Sequence, residues 1–315
     1  MNCLVTGAAG FAGSHLAEHL VKSGHAVVGL TMPGEDLKRL NGLRGSMDVR
    51  QGDITDRQSL RDSLGNSRFD YIFHLAALAS VANSFGAPAL AFRVNTQGTV
   101  NILEAFRARP PKKIVCISSA DVYGHVPKAL TPIRESTPLK PASPYSASKA
   151  AAEIACLQYW RTFAMPVVIL RPFNHTGPKQ GPGFAPSDFA GAIARIEKGL
   201  DAPKLAVGNL ESFRDYSDVR DVVRAYLLAA EGCEPGEIYN VSSGRAVKIG
   251  ALLEALLALC QTKVTVVEDP GKSRPSDMPY VVGDNSKFIH RTGWHPEVPF
   301  EATVRDLFDW WRSCS

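Results

Sequence analysis

Hydrophobic and polar positions alternate through the first 175 residues in one repeated unit, a short apolar run followed by a longer amphipathic stretch. The apolar runs are rich in Val, Ile and Leu, which is typical of strands covered on both faces. They span residues 1–6, 26–30, 47–51, 71–74, 113–117 and 166–171. This alternation of strand and helix predicts a parallel, doubly wound α/β sheet with right-handed crossovers.

The pattern changes after residue 175. Residues 174–188 contain three prolines and three glycines, which predicts a long loop of the kind that often carries function. Beyond it, amphipathic runs predict helices, and short β-rich runs predict strands between them. The helices are expected at 188–198, 219–230, 249–259 and 300–312, and the strands at 204–207, 237–241 and 264–267. We therefore expect a nucleotide-binding domain over 1–175 and a smaller α/β substrate domain over 176–315, with segments near 212–222 and 237–241 returning to the first.

The first strand runs into the sequence VTGAAGFAG, whose glycines are Gly7, Gly10 and Gly13. Glycines at a strand-to-helix turn let the backbone bend sharply and approach a pyrophosphate closely. The following helix adds unpaired N–H groups and the positive end of its dipole. Taken alone, the triplet is also compatible with a plain tight turn. Its position between a predicted strand and a predicted helix favours a Rossmann-type dinucleotide site.

The end of the second strand bears on which dinucleotide binds. An acid there holds the adenosine ribose of NAD, whereas this chain has Thr31. The missing acid favours NADP, with NAD still possible, and Lys38 and Arg39 offer positive charge nearby. Asp53 ends the third strand, where it can accept from the adenine amine. The alternative for Asp53 is a helix N-cap, since 54–64 has a helical pattern.

Tyr145 and Lys149 form a Y-x-x-x-K pair, which places both side chains on one helix face, one turn apart. A lysine ammonium close to a phenol favours the phenolate, so the pair can exchange protons at a carbonyl or alcohol carbon. An isolated pair of this spacing is more often a solvated helix face. Here an apolar strand runs directly into Ser118–Ser119, and a hydroxyl at a strand end is well placed to bond a substrate oxygen.

The composition of the chain indicates which classes of partner and which cellular location are expected. The formal net charge is +4 and no dense Lys/Arg block occurs, so nucleic acid is not expected. No apolar stretch reaches the ~18 residues of a membrane helix. Six scattered cysteines without a C-x-x-C pair, and a chain that starts on a strand, predict a reducing, cytoplasmic location. No metal site is expected.

The glycine stretch, HLAA at 74–77, SSADVYG at 118–124 and Y-x-x-x-K, in this order, resemble the extended short-chain dehydrogenases/reductases, which act on nucleotide sugars. The resemblance covers nearly the whole chain. It implies a Ser119–Tyr145–Lys149 catalytic set, with Asn95 supporting the active-site helix. The residues expected at the cofactor, besides Tyr145 and Lys149, are Gly7, Gly10, Phe11, Ala12, Gly13, Thr31, Asp53, Ile54, Leu75, Ala76 and Ala77.

The second half resembles one branch of that family, the reductases of GDP-4-keto-6-deoxy-D-mannose that form GDP-D-rhamnose. RPFNHTGP at 171–178, SFRDYSDVRD at 212–221 and RPSDMPY at 274–280 carry this resemblance. It implies a GDP-linked sugar as substrate. The residues expected at the substrate are Ser80, Ser119, Asp121, Asn174, Arg214 and Arg274. Two converging guanidiniums suit a diphosphate, although either arginine alone could form a surface ion pair.

Close relatives within the branch include 4,6-dehydratases and 4-epimerases, so three outcomes stay open. Dehydratase relatives carry a Glu two residues after the active-site hydroxyl, and the shorter Asp121 stands there instead. An epimerase that keeps NAD bound would normally have an acid at position 31. The reductase is therefore the first expectation, the epimerase the second and the dehydratase the third. The resemblance also implies a homodimer formed by the helices at 95–107 and 143–162.

Overall fold

The computed structural model of the chain describes residues 1–272 and 278–314. Twelve strands occur in the described part of the chain. They are β1 Asn2–Thr6, β2 Ala26–Thr31, β3 Asp48–Gln51, β4 Tyr71–His74, β5 Lys113–Ile117, β6 Val167–Pro172, β7 Asn174–Thr176, β8 Lys204–Val207, β9 Phe213–Asp218, β10 Ile238–Val241, β11 Ala246–Lys248 and β12 Thr265–Glu268.

Eleven α-helices connect or follow these strands within the same described ranges. They are α1 Phe11–Lys22, α2 Arg57–Leu64, α3 Val81–Gly86, α4 Pro88–Phe92, α5 Gly98–Arg107, α6 Pro144–Phe163, α7 Ala185–Glu197, α8 Val219–Gly232, α9 Ile249–Leu259, α10 Ser286–Thr292 and α11 Phe300–Cys314. One turn of π-helix, Arg93–Gln97, joins α4 to α5. No described helix combines the length and the apolar character needed to cross a bilayer.

Seven strands form one sheet in the order β10-β6-β5-β4-β1-β2-β3. Every pairing in this sheet is parallel. The chain order reverses between β1 and β4, which is the topological switch point where ligands bind in open α/β sheets. The predicted doubly wound, Rossmann-type architecture is thereby confirmed.

The central strands are buried on both faces, as their continuous apolar character predicts. In β4 all four residues are buried, and neighbouring side chains enter opposite layers. Phe73 packs in the layer that contains Leu16 of α1 and Tyr226 of α8. Ile72 packs in the layer that contains Ile102 of α5 and Cys156 of α6. The sheet is therefore held between two hydrophobic layers, which leaves only the ends of its strands accessible to a ligand.

The later part of the chain builds two small sheets and contributes to the large one. Strands β11, β9 and β7 form a three-stranded sheet, and β12 pairs with β8. A third apolar cluster joins α7, α9 and α11 around Leu252, Ile193 and Leu307. From the same part of the chain, β10 adds the edge strand beside β6, and α8 packs against α1.

Several boundaries differ from the sequence expectations for local reasons. Helix α2 begins at Arg57 because Asp56 is its N-cap, so the expected start at 54 was wrong. Residues 95–97 belong to the π-turn rather than to α5. The expected loop over 174–188 contains β7 at its start, and α7 already begins at Ala185. No strand was predicted between 207 and 237, yet β9 lies there, because the charged and polar residues of FRDYSD do not form an apolar run.

Candidate active site

A cleft of about 1410 Å³ opens at the carboxyl edge of the large sheet, beside the switch point. It is lined by most of the residues that the sequence singled out. These are Gly7, Gly10, Phe11, Ala12, Gly13, Thr31, Asp53, Ile54, Leu75, Ala76, Ala77, Ser80, Ser119, Asp121, Tyr145, Asn174 and Arg214. Lys149 lies behind the lining, and Arg274 lies outside the described residues. The topology alone brings together strand ends that are far apart in sequence.

The glycine turn is shaped by two close backbone approaches. Gly7 has φ +69°, a left-handed conformation that favours glycine. A Cβ on Gly13 would lie 2.0 Å from the Gly7 carbonyl oxygen, so only glycine lets α1 start this close to β1. No acidic residue occupies the first turn of α1, whose N-cap is Gly10. The helix therefore presents free N–H groups and its positive end to the cleft, which suits a pyrophosphate.

The far end of the cleft, beyond β2, carries a cation. Arg39 lines the cleft near Thr31, whereas Lys38 is exposed and paired with Asp36. The Arg39 Nε donates to the Lys179 carbonyl at 2.9 Å. Its two terminal nitrogens make no hydrogen bond within the described part of the chain. With no acid at position 31, this end is suited to an adenosine 2′-phosphate.

A segment that the sequence left as loop, residues 178–180, packs against α1; we call it the strap. The His15 ring nitrogen Nε2 lies 2.8 Å from the Pro178 carbonyl, and Lys179 pairs with Glu18 at 2.9 Å. Lys179 has φ +69°, which is uncommon for a residue with a side chain. The strap is thus fixed to α1 and to Arg39, and its Gln180 lines the cleft.

Tyr145 lies in the first turn of α6. The helix starts there because Ser143 and Ser146 form a capping box around Pro144. The Tyr145 phenol and the Ser119 hydroxyl both line the cleft, and they lie close enough for the hydroxyl to influence the phenol's pKa. Burial and the nearby Asp121 carboxylate raise the pKa of Tyr145, and the polar Ser119 hydroxyl only partly offsets this. At neutral pH the phenol is therefore protonated and can act as a proton donor.

Lys149 lies one turn after Tyr145, but its ammonium faces the sheet. The Nζ atom donates to the Ile117 carbonyl at 2.7 Å, at the end of β5. Burial lowers the pKa of Lys149 to about 8. The side chain is thus charged at neutral pH and held next to the strand end that carries Ser119.

Asn95 ties the start of α6 to the loop after β4. Its Nδ2 donates to the Ser148 hydroxyl at 2.8 Å, and its Oδ1 accepts from the Leu78 amide at 2.8 Å. The Asn95 side chain is buried in the π-turn before α5. An amide in this position restrains the helix face that presents Tyr145.

Further polar side chains line the cleft, namely Ser80, Asp121 and Arg214. Burial raises the pKa of Asp121, and the positive charge of Arg214 partly offsets the rise. Arg214 donates to the carbonyls of Phe213 and Met278. Next to it in β9, the buried Asp215 accepts backbone hydrogen bonds from Ser243, Gly244 and Gly283, which joins two loops to β9. Ser80 caps α3 at the rim of the cleft.

A buried ion pair that sequence reasoning missed lies next to Ser118, two helical turns after Tyr145 in α6. The Arg171 guanidinium, at the end of β6, holds both carboxylate oxygens of Glu153 in α6 at 2.9 and 2.6 Å. Both side chains are only 3% exposed. The Ser118 hydroxyl donates to the same carboxylate, and Arg171 also donates to the Tyr123 hydroxyl. Two features of the sequence could have indicated this pair. Arg171 is a charged residue inside the apolar strand VVILRP, and Glu153 is an acid one turn after Lys149.

The arrangement can deliver a proton to an oxygen bound near Tyr145 and Ser119, with a positive charge behind them. Gly7, Gly10 and Gly13 leave room for a pyrophosphate next to this point, so the residues fit a dinucleotide. No cluster of three or more His, Cys, Asp or Glu side chains capable of holding a metal occurs within residues 1–272 and 278–314.

The chain is similar to known proteins along almost its whole length. A family model for GDP-mannose 4,6 dehydratase matches residues 4–307. The GDP-6-deoxy-D-mannose reductase of Pseudomonas aeruginosa is 36% identical over 310 residues, covering 98% of this chain and 96% of that protein.

Solved structures of similar fold include a reductase and an epimerase. The structure of RMD from Pseudomonas aeruginosa complexed with NADPH has a TM-score of 0.87 and 35% identity, covering 100% of this chain and 99% of that chain. The UDP-glucose 4-epimerase of Thermus thermophilus, in complex with NAD, has a TM-score of 0.87 and 32% identity, with both chains covered completely. The chain is thus similar to enzymes that catalyse different reactions, among them a reductase and an epimerase.

The Arg171–Glu153 pair generates the first prediction. Replacing Glu153→Gln leaves a buried guanidinium without its carboxylate, so we expect a loss of about 3–5 kcal/mol in the free energy of unfolding. Urea denaturation followed by circular dichroism measures it. As a control, Lys22→Gln breaks an exposed ion pair with Glu18 and should cost less than about 1 kcal/mol.

The double variant Glu153→Leu/Arg171→Met removes both buried charges together. We expect it to be more stable than Glu153→Gln, because no unpaired charge remains in the core. The single variants Glu153→Leu and Arg171→Met are measured in the same way. If the double variant loses as much free energy of unfolding as the two single variants together, the two charges are not coupled.

Proposed function

The chain belongs to the GDP-mannose 4,6-dehydratase family within the extended short-chain dehydrogenases/reductases, and from that premise we propose that it is an NADPH-dependent 4-keto reductase. The proposed substrate is a GDP-4-keto-6-deoxy-hexose, and the proposed reaction converts GDP-4-dehydro-6-deoxy-D-mannose to GDP-D-rhamnose. The observation that carries the proposal is the position of the buried Tyr145 phenol, which lines the cleft together with Ser119 in surroundings that raise its pKa. The reduction of a ketone needs an acid at this point.

The chemistry follows from the positions of the three catalytic residues. Bound NADPH supplies the hydride that reduces C4 of the sugar. Ser119 and Tyr145 hold the carbonyl oxygen, and Tyr145 gives its proton to that oxygen as negative charge develops there. The ammonium of Lys149 stabilises the phenolate that remains. Because the phenol and the ammonium both carry their protons at neutral pH, the site is ready for reduction.

The cleft also supports the proposed binding roles. We assign the pyrophosphate to Gly7, Gly10 and Gly13, the adenine amine to Asp53, and the 2′-phosphate to Arg39. Phe11, Ala12, Thr31, Ile54, Leu75, Ala76 and Ala77 complete the cofactor wall. We also assign Lys149 to a ribose hydroxyl of the cofactor, and its bond to the Ile117 carbonyl leaves two of its protons for that.

Ser80, Asp121, Asn174 and Arg214 line the remaining part of the cleft, where we assign the nucleotide sugar. Arg214 is proposed to meet the diphosphate with Arg274, which lies outside the described residues. The similarity to the GDP-6-deoxy-D-mannose reductase of Pseudomonas aeruginosa supports a GDP-linked substrate.

A 4-epimerase is the second candidate. The likeness to the NAD-bound UDP-glucose 4-epimerase favours it, since the TM-score of 0.87 equals that of the NADPH-bound reductase structure. Position 31 counts against it, because Thr31 offers no carboxylate to a ribose diol. A dehydratase would need Asp121 to reach the sugar with a side chain one methylene shorter than glutamate.

We also propose a homodimer. Ile154 in α6 is 65% exposed, and Phe92 of α4 and Phe163 of α6 are exposed in the same group of packed helices. Large exposed apolar side chains on neighbouring helices are typical of an interface.

The central test is an assay with NADPH and GDP-4-dehydro-6-deoxy-D-mannose. We expect loss of NADPH absorbance and formation of a GDP-6-deoxy-hexose, and we expect Tyr145→Phe to lower kcat by about 10²-fold or more, since its acid is gone. Because Lys149 loses its charge with a pKa of about 8, the rate should fall above that pH.

The same assay separates the alternatives. Interconversion of UDP-glucose and UDP-galactose without net NADPH loss would identify an epimerase, and conversion of GDP-mannose to the 4-keto sugar would identify a dehydratase. Either result, with no reduction of the 4-keto sugar, would overturn the reductase.

Arg39→Ala tests the cofactor assignment. A charge-assisted hydrogen bond to phosphate contributes about 1.5–3 kcal/mol, so we expect the KM for NADPH to rise roughly 10- to 100-fold. The KM for NADH should change much less, because NADH has no 2′-phosphate. Lys38→Ala, which removes an exposed neighbouring cation, is the control and should change neither KM. An equal rise for both cofactors would instead indicate damage to the strap.

Ile154→Glu tests the dimer. A buried carboxylate at an apolar interface is strongly unfavourable, so we expect multi-angle light scattering to give a dimer mass for the parent protein and a monomer mass for the variant. Leu200→Glu, at an exposed leucine in the turn after α7, is the matched control and should leave the mass unchanged. A monomeric parent protein would contradict the interface.

A further inference from the structure

A second cleft, of about 910 Å³, lies between α2, α5 and the strand starts. Asn2, Asp70 and Lys112, which lead into β1, β4 and β5, are part of its wall, so it opens at the amino edge of the sheet. The first cleft opens at the carboxyl edge, and strands of four or five residues separate the two by roughly 15 Å. We call this second site the basal cleft.

Positive charge gathers in the basal cleft from three separate segments. Arg57 and Arg61 lie one turn apart on α2, Arg68 lies in the loop before β4, and Arg109 and Lys112 lie in the loop before β5. Five cations therefore line one cleft, although the whole chain has a formal net charge of only +4.

The four arginines have no carboxylate partner in the part of the chain that the structure describes. Arg57 donates to the Asn101 amide oxygen, and Arg61 donates to Gln58; both of these acceptors are neutral. No side-chain hydrogen bond is formed by Arg68 or Arg109 within those residues. Guanidinium groups that remain unpaired in a concave site are available to an anion.

The two acids at the basal cleft are already engaged. Asp70 accepts from the Asn2 amide at 2.8 Å and pairs with Lys112 at 3.0 Å. Glu104 pairs with Arg107 at 2.9 Å and accepts from the Tyr159 hydroxyl at 2.7 Å. Arg57 interacts with Glu104 only through its charge, and five cations face two acids, so the basal cleft keeps an excess of positive charge.

We propose that the basal cleft binds the phosphate chain of a small polyanion, such as inorganic tripolyphosphate or the tail of a nucleoside triphosphate. Its volume falls in the range of small-molecule sites. Arg68 and Arg109 come from loops on either side of the strand starts, and their planar donor forks match phosphate oxygens. A concave site of this size favours a compact ligand over an extended nucleic acid, which would need a long basic surface.

Isothermal titration with sodium tripolyphosphate tests the proposal. The protein is first saturated with NADP⁺ and GDP, so that the carboxyl-edge cleft does not compete. We expect binding that weakens as salt is raised, and a Kd at least about tenfold higher in Arg68→Ser/Arg109→Ser. An unaltered melting temperature and NADP⁺ affinity would show that this variant is folded.

The matched control removes two exposed cations elsewhere, Lys263→Ser and Arg305→Ser, and should leave the tripolyphosphate Kd unchanged. An equal loss in the control, an unchanged Kd in the basal variant, or no binding to the parent protein at low salt would each overturn the proposal. Binding of ATP several-fold tighter than tripolyphosphate would identify a nucleotide as the ligand, and equal binding would identify the phosphate chain alone. An oligonucleotide that binds more tightly than both would overturn the small-ligand assignment.

Discussion

The buried pair of Arg171 and Glu153 is the interaction on which the geometry of the active cleft depends. Tyr145, Lys149 and Glu153 follow one another at intervals of four residues, so they share one face of α6. Glu153 can satisfy its charge only by facing Arg171 at the end of β6 and the Ser118 hydroxyl at the end of β5. This requirement sets the rotation of α6, and the same rotation directs Tyr145 and Lys149 toward the strand ends.

The pair also connects the active face to the later part of the chain. Arg171 donates to the Tyr123 hydroxyl, which in turn donates to Asn240 of β10 at 2.7 Å. The Asn240 amide donates to the Ile133 carbonyl, so the loop after β5 is fixed as well. A polar network of this kind is stable in an apolar core only when every member is satisfied. Its members therefore have one arrangement, and the positions of Ser119 and Tyr145 follow from it.

The sequence was informative where the cause is local. Continuous apolar runs predicted β4 and β5 to the residue, and the spacing of glycines predicted the turn before α1. It was less informative where two local causes compete, as at the start of α2, where Asp53 and Asp56 both suit an N-cap and only Asp56 serves. Contacts between distant residues could not be read at all. The strap depends on the bond from His15 to Pro178, which spans 163 positions, and no periodicity records such a partner. The catalytic roles remain predictions.

The strap also bears on the order in which the protein can be completed during synthesis. The ribosome finishes the glycine turn, β1 and α1 long before it reaches residue 178, and the edge strand β10 and the supporting helix α8 come later still. Contacts of such high sequence separation form late in folding. A nascent chain that ends at β6 therefore has the glycine turn and α1, but it lacks the strap and the α8 helix that pack against α1. Its large sheet also lacks the seventh strand, β10. Although the cofactor motif occupies the first residues of the chain, the pocket it needs is finished only by the last third.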